Sequence, residues 1–315
     1  MGKRQYKLDE AYFDVVDTPQ KAYFLGILYA DGYNNEAKGS VHLSQNESHK
    51  DILDKLKVEI GSTSPYTIVS QRTSPFGNQY KVKKQIRLNL YSRHLSNSLS
   101  KLGVVSNKTH VLKFPKELPE LLIPHFIRGY FDGDGYVGIN ENYYNRAHIS
   151  ITGNDLFIKE VKSIIDIRFS LSGHLNVRHV KSPNIVTLSY SGTKSCVSIL
   201  SWLYRDAGEL YIEKKHGVFL KARKIQLGHL EEKERLLKNK LTTELENSRR
   251  ANQKKQNEEQ EEQLIIQKLD EGYSIRQIWI QFGIDKRRIR KIIDKVEYNY
   301  GTRRRMFEKD PNKNG

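Results

Sequence analysis

The chain has 315 residues, enough for two or three domains, of which 37% are hydrophobic and 29% charged. Its single cysteine, Cys196, excludes an intramolecular disulfide and a zinc site built from several cysteines, and it fits a reducing cell interior. No apolar run is long enough to cross a bilayer, and the basic N-terminus lacks the apolar segment of a secretory signal. These features predict an intracellular protein of the cytoplasm or nucleoid, with an organelle left open.

The net charge of +16 is shared along the chain. Residues 1–220 carry 29 Lys and Arg against 21 Asp and Glu, and residues 221–315 carry 24 against 16. Basic side chains that release counterions from phosphates supply most non-specific affinity for nucleic acids. A polyanionic partner is the simplest interpretation, and a basic protein without such a partner is the alternative.

Two predicted helices share one pattern. After a lead-in of residues 1–17, Thr18 is a good N-cap and Pro19 a good first helical residue, and the helix ends at Asp31. The pattern returns 103 residues later and ends at Asp134, where Gly135 is expected to adopt a left-handed cap. Each helix has small residues four apart on one face, so the two helices can pack very closely; these residues are Gly26, Ala30, Gly129 and Gly133.

The order of elements after each helix is also repeated. The first copy predicts a strand at 41–46, helices at 51–60 and 92–102, and a strand at 80–90. The second copy predicts strands at 147–154, 175–180 and 186–190, with helices at 156–167 and 193–204. We therefore expect an α+β fold with two pseudo-symmetric αββαββα halves, residues 18–122 and 123–222.

The remaining chain has a different composition. Residues 223–262 predict a charged helical linker, residues 263–300 a small all-α helix-turn-helix domain, and residues 301–315 a basic tail. The last helix of the small domain resembles a recognition helix in resolvase-like and homeodomain-like proteins. A generic three-helix module is the alternative. The candidate DNA contacts on this helix are Lys286, Arg287, Arg288, Arg290 and Lys291.

The two motif helices also suggest chemistry. Packed side by side, they would bring Asp31 and Asp134 together, where the partial negative charge of two helix C-termini adds to the repulsion. Carboxylate oxygens at such a point favour a hard divalent cation such as Mg²⁺, which in a basic protein suits phosphodiester hydrolysis. The alternative is that the glycines only pack two helices and the aspartates are turn residues.

The segments FLGILYADG, residues 24–32, and IRGYFDGDG, residues 127–135, resemble the two motifs of double-motif LAGLIDADG homing endonucleases. The resemblance covers roughly residues 18–220 and implies that each half forms a four-stranded saddle along the DNA major groove. It implies a metal site for Mg²⁺ or Mn²⁺ formed by Asp31, Asp134, Gly32 and Gly135. At the sixth motif position Tyr29 replaces the usual acid, whereas Asp132 retains it; this position is not the metal ligand, and Asp132 is expected to be structural.

The resemblance further implies a lysine near each metal ligand, which would stabilise developing charge or position water. Lys108 lies 77 residues after Asp31, and Lys214 and Lys215 lie 80 and 81 residues after Asp134. We favour Lys108 and Lys215, although an ordinary surface lysine is the alternative at each position.

Candidate DNA contacts on the predicted saddle are of the types that read base edges or bind phosphates. They are Arg72, Gln79, Lys81, Lys83, Gln85, Arg87 and Asn89 in the first half, and Asn140, Asn142, Arg146, Asn176, Arg178 and Lys181 in the second.

The resemblance implies a monomeric, intron-encoded endonuclease of a mobile element that cuts both strands of a double-stranded DNA target across the minor groove, leaving short 3′ overhangs. An intron RNA maturase on the same fold, with the host intron RNA as partner, is one alternative. A non-catalytic helix-turn-helix transcription regulator is another, which the presence of both Asp31 and Asp134 disfavours.

Overall fold

The computed structural model describes residues 5–69, 84–108, 111–179, 182–299 and 304–305. The chain divides into two compact units, residues 1–230 and residues 231–315. Within the described residues, no helix combines the length and the apolar character that a membrane span requires.

The first half of the first unit contains three helices and a four-stranded antiparallel sheet in the order β1-β2-β4-β3. The predicted strand at residues 80–90 is described only from Lys84 onward, and its ladder begins at Gln85. The elements are α1 Pro19–Asp31, β1 Gly32–Asn35, β2 Ser40–Asn46, α2 Lys50–Glu59, β3 Tyr66–Val69, β4 Gln85–Tyr91 and α3 Arg93–Lys101.

The second half repeats this arrangement with the sheet order β5-β6-β8-β7. Its elements are α4 Ile123–Asp134, β5 Gly135–Asn140, β6 Arg146–Asn154, α5 Asp155–Phe169, β7 His174–His179, β8 Ser182–Ser191 and α6 Thr193–Tyr204. Both halves therefore have the order αββαββα, and the predicted α+β fold is confirmed.

Helices α1 and α4 pack through their glycines at equivalent positions. A Cβ on Gly26 would lie 2.1 Å from the Phe126 carbonyl oxygen, and one on Gly129 would lie 2.0 Å from the Tyr23 carbonyl oxygen. Further along, a Cβ on Gly133 would lie 2.3 Å from the Cβ of Ala30. The helices are consequently parallel in close contact, and their C-termini meet at the same end.

The motif helices end differently from the expectation. The prediction of a left-handed Gly135 is wrong, because this residue has φ −97° and ψ 162°, and Gly32 has φ −77° and ψ 150°. Both are extended, so each helix passes directly into a strand. Glycine is needed for space instead: a Cβ on Gly135 would lie 2.4 Å from the Phe131 carbonyl oxygen, and one on Gly32 would lie 2.6 Å from that of Leu28.

Each sheet has one buried and one open face, because side chains alternate along a strand. The buried faces join α1, α4 and the other helices of this unit in one hydrophobic core. The open faces carry polar and aromatic side chains. Buried strand residues include Val41, Leu43, Ile86, Leu88, Leu90, Ala147, Ile149, Ile151, Val186 and Leu188.

Helix α7 spans Glu213–Asp270, and the predicted charged linker lies within it. The second unit continues with α8, Ile275–Phe282, and α9, Lys286–Lys295, and with short strands β9, Tyr298–Asn299, and β10, Arg304–Arg305. A capping box of Ser274 with Gln277 begins α8, Gly283 ends it at φ +69°, and the side chain of Asp285 caps α9. The core of this unit contains Ile265, Leu269, Ile278, Ile289, Ile292 and Tyr298.

Candidate metal and nucleic-acid site

The parallel packing of α1 and α4 brings Asp31 and Asp134 to one place. Gly133 lies against Asp31, since a Cβ added to it would be 3.0 Å from Asp31 Oδ2. Burial raises the pKa of both carboxyls, to about 6 for Asp134, and the negative charge of Asp31 is the second cause for Asp134. Asp31 remains partly exposed and Asp134 exposed. The two carboxylates therefore oppose each other's ionisation at a point that solvent and ions can reach.

The two carboxylates have different neighbours. Gln45 Nε2 donates a hydrogen bond of 2.7 Å to Asp31 Oδ2. The strand register pairs Gly32 with Leu43 and Gly135 with Ile151, which makes Gly153 the counterpart of Gln45.

The space beside Gly153 is filled from α4 instead. A Cβ on Gly153 would lie 2.3 Å from the hydroxyl oxygen of Tyr130. The single proton of this hydroxyl is shared between the Thr152 carbonyl, at 3.0 Å, and Asp134, whose raised pKa the hydrogen bond moderates. An amide thus supports one carboxylate and a phenol the other.

Each half supplies one lysine to the end of its own motif helix. Lys108 Nζ donates to the carbonyl of Ala30 at 3.2 Å and to that of Gly32. Lys215 Nζ donates to the carbonyls of Phe131 at 2.6 Å and Asp132 at 2.7 Å. Lys214 is exposed. Of the two neighbouring candidates, only Lys215 is directed to the motif helix.

The lysines and carboxylates interact electrostatically. Burial lowers the pKa of Lys108, and the charges of Asp134 and Asp31 oppose that change. Burial likewise lowers the pKa of Lys215, and Asp132, Asp31 and Asp134 oppose it. Two partly buried ammonium groups therefore face a pair of acidic groups, which balances charge that would otherwise concentrate at two helix C-termini.

The donors available to a metal are the two carboxylates. Lys108 engages the Gly32 carbonyl, and the amide groups of Gly32 and Gly135 donate to the carbonyls of Leu28 and Phe131. Across the described ranges, no group of three or more His, Cys, Asp or Glu residues surrounds one point. Mg²⁺ is typically bound by one or two carboxylates, with water and phosphate oxygens completing its shell. The residues present fit Mg²⁺ or Mn²⁺ better than Zn²⁺, which prefers nitrogen and sulfur ligands.

Most described saddle candidates lie on the open faces. Gln85, Arg87 and Asn89 alternate with buried residues of β4. In the second half, Asn140, Asn142 and Arg146 are exposed at the β5–β6 hairpin, and Asn176 is exposed on β7. Five candidates, Arg72, Gln79, Lys81, Lys83 and Lys181, lie outside the described residues, and for Arg178 the structure describes the strand but not the side chain.

Several of these side chains are held by neighbours. Arg87 Nε donates to Ser44 Oγ at 2.9 Å, and Asn89 contacts His42 Nδ1 at 2.7 Å and Thr67 Oγ1 at 2.9 Å. Asn140 accepts from the backbone of Asn142 at 3.1 Å, which shapes the hairpin turn. Such contacts orient the groups that the open face presents.

Sequence reasoning missed the aromatic part of the open faces. Tyr33 and Tyr136 each follow a motif glycine and are exposed. The Tyr33 ring stacks on His42 with centroids 6.0 Å apart, and that of Tyr136 lies 5.5 Å from His148. The alternation with buried strand residues could have identified them, but the selection by basic and amide side chains excluded them.

In the second unit, the five candidate DNA contacts on α9 differ in their surroundings. Lys286 Nζ lies 3.8 Å from the centroid of the Trp279 ring, and Arg288 Nε lies 3.6 Å from Glu261. Trp279 is 43% exposed, so its bulk does not disturb the packing of the small domain. Of the five candidate contacts, Arg287, Arg290 and Lys291 are exposed.

Comparison with known proteins finds part of the chain similar to one family. Residues 122–201 match the family model of the LAGLIDADG-like domain. The uncharacterized protein MJ0398 of Methanocaldococcus jannaschii is 25% identical over 237 residues, covering 72% of this chain and 73% of that protein. The probable translation initiation factor IF-2 of the same organism is 27% identical over 156 residues, which cover 49% of this chain and 12% of that protein.

Among solved structures, the LAGLIDADG homing endonuclease I-GzeII in complex with its DNA target is 12% identical, with a TM-score of 0.47, covering 68% of this chain and 92% of that one. The LAGLIDADG meganuclease I-CpaMI bound to uncleaved DNA is 10% identical, with a TM-score of 0.47, covering 68% and 93%. The family match spans α4 to α6, and the first half repeats the same elements in the same order. The second of the two αββαββα halves is therefore similar to the LAGLIDADG-like domain.

Proposed function

We propose that the chain is a site-specific double-strand DNA endonuclease that hydrolyses phosphodiester bonds with Mg²⁺ or Mn²⁺. One observation carries the proposal: Asp31 and Asp134 meet at the end of two parallel helices, and each has a lysine of its own half beside it. A pure DNA-binding protein has no use for two mutually repelling carboxylates at this position.

The chain's own residues have distinct roles in this proposal. Asp31 and Asp134 would hold the divalent ion, which supplies a Lewis acid for the phosphate and a more acidic water molecule. Gln45 orients the Asp31 carboxylate through its 2.7 Å hydrogen bond. Lys108 and Lys215 stabilise negative charge that develops on the phosphate, because their ammonium groups are partly withdrawn from water.

The open faces of the two sheets provide the DNA-binding surface. Side chains such as Arg87 and Asn89 would read edges in the major groove. The carboxylates, which lie between the two halves, would then act across the minor groove, and the two cuts would leave short 3′ overhangs. The second unit adds affinity through Arg287, Arg290 and Lys291, and the pseudo-symmetric chain acts as a monomer.

The decisive experiment uses the full chain, Mg²⁺ and a duplex spanning the junction that forms when the element encoding the chain is removed from its host DNA. We expect double-strand cleavage by the wild type. Asp31→Asn and Asp134→Asn should each slow cleavage at least roughly 100-fold, because each removes a charged metal ligand. Sequencing of the cut ends reads the stagger, and blunt ends or 5′ overhangs would contradict the minor-groove geometry.

Asp17→Asn is the matched control, because it removes the same charge from an exposed carboxylate that precedes the other end of α1. It should cleave like the wild type. Failure of the wild type to cut, or equal cutting by the Asp31 and Asp134 variants, would overturn the proposal. Splicing of the host intron with and without the chain separates the maturase alternative.

A further inference from the structure

The residue at the sixth position of each motif contacts the segment that carries the lysine of the same half. Tyr29 and Asp132 occupy this position, two residues before Asp31 and Asp134. Both side chains are buried, with 2% exposure each. Neither touches the open faces of the sheets, so neither is placed to contact DNA directly.

In the first half, the Tyr29 hydroxyl donates a hydrogen bond to the Leu102 carbonyl. The next residue, Gly103, packs on the same hydroxyl, since a Cβ there would be 2.5 Å from it. Leu102 is the first residue after α3, at the start of the segment that leads to Lys108. Asn34 Nδ2 holds the same segment through the Val104 carbonyl at 2.8 Å.

In the second half, Asp132 Oδ2 accepts hydrogen bonds from the Ile212 amide at 3.1 Å and from the Tyr23 hydroxyl at 2.9 Å. The Ile212 carbonyl in turn accepts from the Lys215 amide at 2.9 Å, in the first turn of α7. The Asp132 carbonyl accepts from Lys215 Nζ. Asp132 therefore holds Lys215 in two ways. Its carboxylate binds the Ile212 amide, in the turn that contains the Lys215 backbone, and its carbonyl accepts from the Lys215 ammonium group.

In both halves the sixth motif residue is hydrogen-bonded to the segment that carries the lysine, but donor and acceptor are exchanged. A phenol donates to a carbonyl in one, and a carboxylate accepts from an amide in the other. A nearby polar contact is not repeated in this way. Arg128 donates to the Leu203 and Leu210 carbonyls, but its counterpart in the first half is the apolar Leu25. Packing of the two halves alone therefore does not require a polar contact at each equivalent position. A flexible lysine stem needs such fixed surroundings to hold its ammonium group in one place.

We propose that Tyr29 and Asp132 are positioning residues, Tyr29 for Lys108 and Asp132 for Lys215. The inference rests on the proposed nuclease function, in which each lysine serves one half of the composite site. Its consequence is specific: loss of one anchor impairs cleavage of one DNA strand and leaves the other strand's cleavage largely intact.

The cleavage test uses Tyr29→Phe, which removes only a hydroxyl, and Asp132→Leu, with Asp132→Asn as the conservative variant that retains an accepting oxygen. The two strands of the target duplex carry different fluorophores. Each of the first two variants should slow one strand roughly 10- to 100-fold and accumulate nicked DNA, as losses of supporting contacts do. The slowed strands should be opposite ones, matching those slowed by Lys108→Met and Lys215→Met. Asp132→Asn should cut both strands at nearly the wild-type rate.

A second measurement needs neither metal nor DNA. Brief acetylation followed by mass spectrometry reads the accessibility of each lysine, with exposed Lys214 as internal reference. Tyr29→Phe should raise labelling of Lys108 roughly 3- to 10-fold, the change that loss of one hydrogen bond allows, and leave Lys215 unchanged. Asp132→Leu should do the reverse.

Thermal unfolding verifies that each variant is folded. If Asp132→Leu does not fold, Tyr29→Phe decides the inference on both readouts. Equal slowing of both strands, unchanged labelling, or a rise at both lysines would overturn it. A wild-type chain that cuts no DNA would defeat the proposed function, while the labelling would still test whether each anchor holds its lysine.

Discussion

The two halves of the first unit have nearly the same backbone but different polar supports. Their motif helices correspond at a constant offset of 103 residues, and each motif helix ends with an aspartate, near a lysine of the same half. Around these shared groups the two halves differ. Gln45 donates to Asp31 in the first half, whereas the second half has Gly153 at the equivalent position and the Tyr130 hydroxyl in the space beside it. The comparison shows that the two halves share the aspartates and lysines of the site, whereas the side chains that hydrogen-bond to these groups differ.

The offset itself changes along the chain. Leu43 and Ile151 are counterparts by register, 108 residues apart, because the β5–β6 hairpin is longer than the β1–β2 hairpin. Side chains of β2 and β6 therefore correspond at a different offset from those of the motif helices. The supports of the site come from both kinds of element, which allowed them to diverge.

The largest expected effect concerns the close packing of the two motif helices, which both halves share. In Gly129→Ala, the new methyl group would lie 2.0 Å from the Tyr23 carbonyl oxygen, so the helices must separate. We expect the free energy of unfolding to fall by about 3 kcal/mol or more, the upper range for overpacking. Urea denaturation followed at Trp202, in a Trp279→Phe background, measures it.

Gly228→Ala is the control for this change, because it lies on α7 with no atom within 4 Å of the new methyl group. It should leave stability unchanged or raise it by up to about 1 kcal/mol through helix propensity. If Gly129→Ala behaved like this control, the close packing of the two halves would be wrong.

A smaller effect distinguishes the halves by pH. His125 is 6% exposed and has Ala22 as its counterpart in the first half. Burial and the charge of Arg128 lower the pKa of His125 to about 4, so the folded state holds it neutral. The unfolded chain takes up a proton below its ordinary pKa of about 6.5, and stability contributed by the neutral form is lost as pH falls from about 6.5 to 4.

We expect this group to cost about 2 kcal/mol of stability between pH 7 and pH 5. Urea denaturation at several pH values would show it, with His125→Ala, which copies the residue of the first half, as the comparison. The variant should have a shallower pH dependence whatever its absolute stability. An unchanged slope would mean that His125 takes up its proton at the same pH in the folded state as in the unfolded chain.

The smallest effect compares a tyrosine–aspartate pair in each half. Tyr190 donates to Asp166 at 2.7 Å, and Tyr66 donates to Asp54 at 2.6 Å. The side chain of Asp166 is 14% exposed and that of Asp54 is 49% exposed. Tyr190→Phe should therefore cost about 1.5 kcal/mol and Tyr66→Phe about 0.5 kcal/mol or less. Equal losses in thermal or urea unfolding would show that burial does not separate the two pairs.

The fold could be predicted from the sequence because its main signals are local or repeated. Alternating and helical patterns located the elements, and the recurrence of glycines four apart identified the two motif helices as partners. The same recurrence directed attention to Asp31 and Asp134, which the structure brings together. The resemblance to LAGLIDADG endonucleases then indicated Lys108, and the choice of Lys215 over Lys214 depended on the start of α7, which sequence patterns define poorly.

The supporting residues could not be predicted, for physical reasons. Gln45 reaches Asp31 only through the strand register, and Tyr130 replaces it from a different element, so no repeated residue marks this function. The predicted conformation of Gly135 was also wrong, since glycine after a helix more often permits a left-handed cap than a close contact. Here steric room, rather than backbone freedom, requires glycine.

The contact of Ala30 with Gly133 has a consequence for the origin of the two halves. In a homodimer, a residue on the two-fold axis must face its own copy, so two alanines would collide at this spacing and two glycines would leave the Cβ space empty. The observed pair places one methyl group into the gap that the other side leaves, since a second Cβ would lie only 2.3 Å away. A homodimer cannot have such size complementarity, whereas two halves encoded separately, as in this chain, can change on each side of the axis alone.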